Sequence, residues 1–147
     1  MIVLDEELQG LGLEEAISGW YRGPVLLIKA LRPRTVIKDE AIPGLLRRVK
    51  SPTFVTINHG DFWRRVAAER SFCVLCLKLT IDQANEVPQW LRRLFRFPEF
   101  QTKNTRMGKV AFISPRSIQY YSIEDDLIHL LGWSAVERRR GRKGAPL

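Results

Sequence analysis

Acidic side chains stand at three separated points of this chain, each tied to an apolar run of strand length. Asp5 and Glu6 follow residues 1–4, Asp39 and Glu40 come ahead of residues 53–57, and Asp61 comes soon after that run. Carboxylates gathered in one place repel one another unless protons or a cation intervene. A donor set made only of oxygen suits Mg²⁺ or Mn²⁺. Such an ion activates water and stabilises charge on a phosphodiester undergoing attack. This chemistry requires the first and third apolar runs to be neighbours. Each acid also has an ordinary reading. Asp39 and Asp61 both suit a helix N-cap. Asp5, directly after a buried strand, must be solvated, paired or metal-bound. Thr56 either orients a water or phosphate or serves strand propensity alone. His59 is a ligand or proton shuttle, or a turn residue.

The elements that would position these groups alternate. Residues 1–4, 25–28, 53–57 and 72–79 are short apolar runs that predict buried strands. Between them, Leu13, Ala16, Ile17 and Trp20 recur at helical spacing, with Gly10 and Gly12 delaying the start. A second helix is expected over 40–49, capped by Asp39, and a third over 62–70, capped by Asp61. A fourth begins firmly at Pro88, with Val87, Trp90, Leu91, Leu94 and Phe95 on its apolar side and Arg92, Arg93 and Arg96 outside. Residues 108–114 and 116–122 alternate about Ser114-Pro115 and predict a hairpin, and 123–136 a terminal helix striped by Leu127, Leu130 and Leu131. The order β-α-β-α-β-α-β-α, then hairpin and helix, predicts an α/β fold with a mainly parallel sheet covered on both faces. Polar function in such sheets collects beyond the carboxyl ends of the strands.

Composition sets the class. A length of 147 residues fits one domain, and 45% apolar residues fit one packed core. No apolar run approaches a membrane span of about 18 residues. The first residues lack a basic leader, which predicts a cytoplasmic protein. The formal charge is +8, and Arg138, Arg139, Arg140, Arg142 and Lys143 supply much of it in a tail expected to be disordered. That tail either contacts nucleic acid or keeps the protein soluble. Cys73 and Cys76 show C-x-x-C spacing inside a strand, where residues three apart face opposite sides. They read as buried small hydrophobes rather than a redox pair or zinc site. Arg32, Arg34 and Lys38 before Asp39, and Arg64 and Arg65 after Asp61, are candidates for RNA phosphate contact or an ordinary solvated face. Trp63 reads as a core or interface side chain ahead of a base-stacking one.

Leu4-Asp5-Glu6, Lys38-Asp39-Glu40-Ala41-Ile42, the segment 54–62 and the closing segment 108–120 together resemble the compact PIN-like domain family, whose relatives include the VapC-type toxin ribonucleases. The resemblance covers residues 1–122. It implies a three-layer α/β/α domain with a C-terminal hairpin and helix, cutting RNA with Mg²⁺ or Mn²⁺. Carried over by position, Asp5 would be the main metal ligand, Asp39 the helix-start acid with Glu40 as the adjacent alternative, and Asp61 the acid after the third strand. Glu6 would be accessory. Asn58 stands where the family has a further acid, one residue farther from Asp61 than usual. Its amide oxygen can ligate a metal but brings no charge, and His59 could partly substitute. The resemblance implies RNA as substrate, an antitoxin protein as partner, and a homodimer. The domain plan is 1–122 PIN-like, 123–137 helix and 138–147 basic tail.

Two functions compete on this pattern. One is a metal-dependent endoribonuclease, such as the toxin of a toxin–antitoxin pair. The other is a weakly active or inactive module of the same fold that binds nucleic acid or protein, which the loss of charge at Asn58 favours. A small-molecule phosphate-ester hydrolase ranks last, because Leu4-Asp5-Glu6-Glu7-Leu8 is no glycine-rich phosphate loop.

Overall fold

Apolar runs of three to five residues form the parallel part of one seven-stranded sheet. The computed structural model describes residues 1–57 and 62–134, the Asp126 side chain excepted. Among them the chain runs β1 (Ile2–Leu4), α1 (Leu13–Ser18), β2 (Val25–Leu27), α2 (Ile42–Leu46), β3 (Thr53–Ile57), α3 (Phe62–Arg65), β4 (Cys73–Leu77), α4 (Val87–Leu94), α5 (Lys103–Arg106), β5 (Lys109–Ile113), β6 (Ser117–Ser122) and β7 (Asp125–Gly132). Short 3₁₀ turns span Glu6–Leu8, Ile28–Leu31, Asp39–Ala41 and Ile81–Glu86. The strand order is β2-β1-β3-β4-β5-β6-β7. Neighbours from β2 to β5 are parallel, and β5, β6 and β7 are antiparallel. The fold is therefore α/β with a mostly parallel sheet.

Strand alternation divides the core in two. Ile2, Leu4, Val55, Ile57, Leu75 and Ala111 face one apolar layer with Leu13, Ile17, Leu91 and Leu94. Val3, Phe54, Val74, Cys76 and Val110 face the other, with Ile42, Leu46, Phe62 and Trp63. Strands buried on both sides read as continuous apolar runs, which is why β1, β3 and β4 were recognisable. Cys73 and Cys76 fall into opposite layers, as alternation requires. Burial pushes the Cys73 thiol up to about 12 and raises that of Cys76 as well.

Local chemistry explains where helices start and stop. Gly10 and Gly12 take φ of +78° and +71°, so α1 starts only at Leu13. A Thr80–Gln83 capping box opens the turn that leads into α4, whose Val87, Leu91 and Leu94 are buried while Arg92, Arg93 and Arg96 are exposed. The helix expected over 62–70 ends at Arg65. The Tyr121 hydroxyl lies against the Trp63 and Val66 carbonyl oxygens, which a longer helix would need for its own amides. The helix expected over 40–49 is a 3₁₀ turn followed by the short α2.

One expectation is overturned. The terminal helix placed at 123–136 is instead strand β7, paired with β6 from Ser117↔Gly132 to Ser122↔Asp125. Its helical stripe has no buried face to meet: Leu127 and Leu130 are exposed, and Leu131 alone of the three packs on the core. Pairing with β6 satisfies the backbone groups on that side of the strand, so 125–132 extends the sheet rather than forming a separate element. The basic tail at 138–147 lies outside the described residues.

Among the described residues, the buried polar and charged side chains are Thr53, Thr56 and Arg106. The Arg106 guanidinium donates from Nε to Thr53 Oγ1 at 3.0 Å and from Nη1 to the Phe100 carbonyl at 3.0 Å. It also lies 4.2 Å from the Phe95 ring centroid. Burial lowers its pKa from the ordinary value. Replacing Arg106 by Ala strands the Thr53 hydroxyl and the Phe100 carbonyl, and should lower stability in urea by about 3 kcal/mol; a change within error would contradict this account. The two thiols should resist a disulfide reagent in native buffer and react only as the protein unfolds. Rapid labelling that precedes the loss of circular dichroism would show the sheet to be less closed than described.

Candidate functional site

The carboxyl end of β1 meets that of β3 where the sheet's connections diverge. From β1 the chain crosses outward to β2, and from β3 it crosses the opposite way to β4. Such a switch point opens a crevice beyond the strand ends. The required neighbourhood of the first and third strands is present, with Leu4 opposite Val55. The Asp5 amide continues the ladder, donating to the Val55 carbonyl at 3.0 Å.

Asp5 then turns its carboxylate to two donors. Oδ1 accepts from the Glu6 amide at 2.8 Å, capping the turn Glu6–Leu8. Oδ2 accepts from the Thr56 hydroxyl at 2.6 Å, a short charge-assisted bond between neighbouring strands. Glu7 Oε1 lies 3.3 Å from the same hydroxyl and 3.4 Å from the Ile57 amide. A hydroxyl has one proton to give. With that proton on Asp5, Glu7 Oε1 keeps the Ile57 amide as a donor. Glu6 swings the other way, and its Oε1 accepts from the Ile37 amide at 3.1 Å. That bond ties the turn after β1 to the segment leading into Asp39.

Asp39 sits inside the first turn of Asp39–Ala41 rather than at its cap. The cap residue is Lys38, and no side chain caps this turn. The capping roles are therefore the reverse of the expectation: Asp5 is a cap, and capping does not account for Asp39. Asp39 Oδ2 lies 3.7 Å from Arg65 Nη2, a solvated pair of small energetic weight. After burial, the charges of Asp5, Cys73 and Asp39 raise the Cys76 thiol. Cys76 lies directly beside Thr56 in the register of β3 on β4. Asp39, Glu40, Pro43, Phe62, Arg65 and Val66 line a cavity of about 340 Å³.

The other candidates separate clearly. Arg32, Arg34 and Lys38 are exposed along the segment that enters Asp39, and Arg64 and Arg65 are exposed on α3. Arg64 lies 5.5 Å from the Trp63 ring, and Trp63 itself is buried, stacked on Phe112. That agrees with the core reading of this tryptophan. Asn58, His59 and Asp61 lie outside the described residues. Among the described residues, no group of three or more His, Cys, Asp or Glu is arranged to hold a metal ion. The oxygens of Asp5, Glu7 and Thr56 are nevertheless of the hard type that a divalent ion prefers. A second cavity of about 350 Å³, lined by Lys78, Gln83, Trp90, Arg93, Pro115 and Trp133, contains none of the candidate acids.

Glu7 was missed in the sequence. Three acids in a row follow β1, and only the 3₁₀ turn decides that Glu6 faces Ile37 while Glu7 reaches β3. Compared with family models, curated proteins and solved structures, the chain shows no match.

Thr56 is the testable hinge of this arrangement. Thr56→Val keeps shape and removes the donor to Asp5, and should lower stability by about 1.5 kcal/mol in guanidinium chloride, whereas Thr56→Ser should stay near wild type. Equal midpoints for Val and wild type would mean that the bond contributes nothing.

Proposed function

We propose that this protein is a metal-dependent endoribonuclease of PIN-like type, with its site at the carboxyl ends of β1 and β3. What carries the reading is the Asp5–Thr56 bond at the switch point, with Glu7 on the same hydroxyl. The mostly parallel α/β sheet is compatible with it, and the sequence motifs that resemble the family support it.

In this reading Asp5, Asp39 and Asp61 are the acids of the site, and Asn58 adds a neutral oxygen. Together they would hold Mg²⁺ or Mn²⁺, with Glu6, Glu7, Glu40 and His59 as accessory groups. The ion, when bound, supplies an activated water and stabilises charge on the phosphodiester. Thr56 fixes the direction of the Asp5 lone pairs. Arg65 beside Asp39, with Arg64, Arg32, Arg34 and Lys38, receives the RNA phosphates and sets register rather than sequence. The net charge of +8 favours such a polyanion. An antitoxin partner follows from the same resemblance.

The second reading is a module of this fold that binds nucleic acid without cutting it. Asn58, a neutral residue where the resembled family has an acid, favours it.

Labelled single-stranded RNA, Mn²⁺ and purified protein separate the two. Cleavage should disappear with EDTA and fall by about 100-fold or more in Asp5→Asn and Asp39→Asn. Equal trace cleavage by wild type and Asp5→Asn sinks the nuclease. RNA binding that weakens with salt but survives EDTA, with no cleavage, establishes the second reading.

A further inference from the structure

The cavity of about 350 Å³ lies beyond the carboxyl ends of β4, β5 and β7. Lys78 directly follows β4, and its amide continues the ladder by donating to the Ile113 carbonyl of β5 at 2.8 Å. Pro115 follows β5, and Trp133 follows β7. The turn Ile81–Glu86 and α4 form the other wall and bring Gln83, Trp90 and Arg93 to the cavity. That turn packs against Glu6–Leu8, the turn that carries Glu7. By strand spacing, the cavity lies about 12 Å across the sheet from β1.

Core packing accounts for one of the two tryptophans here. Trp133 is 7% exposed, its Nε1 donates to the Ser114 carbonyl at 2.6 Å, and Phe97 meets its ring edge-on at 5.7 Å. Trp90 is only half-buried, edge-on to Trp133 at 6.5 Å. Arg93 lies over the Trp133 ring at 4.5 Å. Stacking engages the face of a guanidinium, whereas its N–H donors lie in the plane, where an anion meets them. Lys78 is an exposed second cation of the same lining. Gln83 Oε1 accepts from the Thr80 amide at 3.1 Å and from its hydroxyl at 3.3 Å, so what Gln83 adds to the cavity is an N–H donor. Gln89 and Glu86 complete the polar lining.

These groups select the occupant. Two cations against one acid favour an anion. A half-open indole favours a flat apolar ring. Amide and carboxylate groups favour a ring with donors and acceptors on its edge. A fatty acid supplies the charge without the edge, and an acidic peptide supplies charge and edge without the ring. A nucleotide supplies all three. We propose that this cavity binds one nucleotide, with the base against Trp90 and the phosphate at Lys78 and Arg93. That chemistry arrives either as a free 5′-mononucleotide or as one unit of single-stranded RNA. The proposal does not rest on the nuclease reading, because none of the described candidate acids lines the cavity and no metal takes part.

The test is calorimetric titration of the full chain in EDTA with the four 5′-mononucleotides, inorganic phosphate and a short single-stranded RNA. At least one mononucleotide should bind about 10-fold or more tightly than inorganic phosphate. Lys78→Glu, on an exposed side chain, should weaken that binding by about 10-fold or more. Lys50→Glu makes the same change in net charge at the amino side of β3 and should stay within about twofold of wild type. Trp90→Leu should lose the binding. Because Trp90 also packs on the core, Trp90→Phe keeps an aromatic face and should retain most of it, both variants showing the wild-type far-ultraviolet spectrum. If Lys78→Glu weakens the RNA as it weakens the mononucleotide, the ligand is a strand; if only the mononucleotide responds, it is the free nucleotide. Absence of mononucleotide binding overturns the proposal, as do phosphate binding equal to the nucleotide's, or equal losses in Lys78→Glu and Lys50→Glu. RNA cleavage with Mn²⁺ that persists beside any of these failures strikes the cavity and leaves the nuclease reading standing.

Discussion

The parallel register of β1 on β3 is the constraint on which the site depends. It sets Leu4 opposite Val55, which brings the Asp5 amide to the Val55 carbonyl and the Asp5 carboxylate to the Thr56 hydroxyl. A slip of one residue would turn Thr56 to the other face of the sheet and put Val55 or Ile57 against a carboxylate. Both faces of β3 are buried, so that slip would also move every core side chain into the wrong layer. The core therefore holds the register, and the register holds the acid. Burial energy shared over the two apolar layers positions a group that contributes little to them.

The turn after β1 adds a second level of control. Three consecutive acids leave the strand, yet they do not point together. Asp5 stays on the strand axis as a cap, Glu6 ties back to Ile37, and Glu7 reaches across to Thr56. Splaying relieves the repulsion that three adjacent carboxylates would otherwise feel. It also links Asp39 to Asp5 mechanically, because Ile37 is only two residues away from Asp39. A long chain segment separates the two acids, and a single backbone-to-carboxylate bond shortens that freedom.

How much of this is legible in the sequence depends on which layer decides. β3 and β4 are readable because both faces are buried, with β-branched and aromatic residues in β3 and a continuous apolar run in β4. The β5–β6 hairpin is readable from alternation about Pro115. β7 is not: Leu127, Leu130 and Leu131 satisfy a helical period, and the choice for strand comes from pairing with the adjacent β6, which the local period does not encode. The length of α3 is likewise set from outside, by Tyr121 reaching its carbonyls. Asp5 and Asp39 are both visible as acids at strand and helix boundaries, but which of them caps depends on turn geometry that spacing alone does not encode. Glu7 is invisible for the same reason. Asn58, His59 and Asp61 are legible as a polar turn, and their placement lies outside the described residues.

Thr53 and Thr56 show how one strand serves opposite charges. Both are fully buried on β3, three residues apart, and so face opposite layers. Thr53, at the amino end, accepts from the Arg106 guanidinium, while Thr56, near the carboxyl end, donates to the Asp5 carboxylate. A hydroxyl can do either, because it carries one donor and two lone pairs. The strand thereby fixes a cation at one end and an anion at the other, about 10 Å apart by strand rise. Valine at either position would satisfy the apolar layers equally well and would remove one hydrogen bond from a charged group. That these two threonines and Arg106 make up the buried polar and charged side chains described argues that each is present for the charge it meets. The Met1 amino group lies near the same cationic end, bonded to the Tyr21 hydroxyl at 3.0 Å, with burial and then Arg106 and Lys103 lowering its pKa. Positive groups thus gather at the amino ends of β1 and β3, and acids at their carboxyl ends. The polarity of parallel strands gives both ends a consistent direction, with Arg106 and the Met1 amino group at the amino side and Asp5 and Glu7 at the carboxyl side.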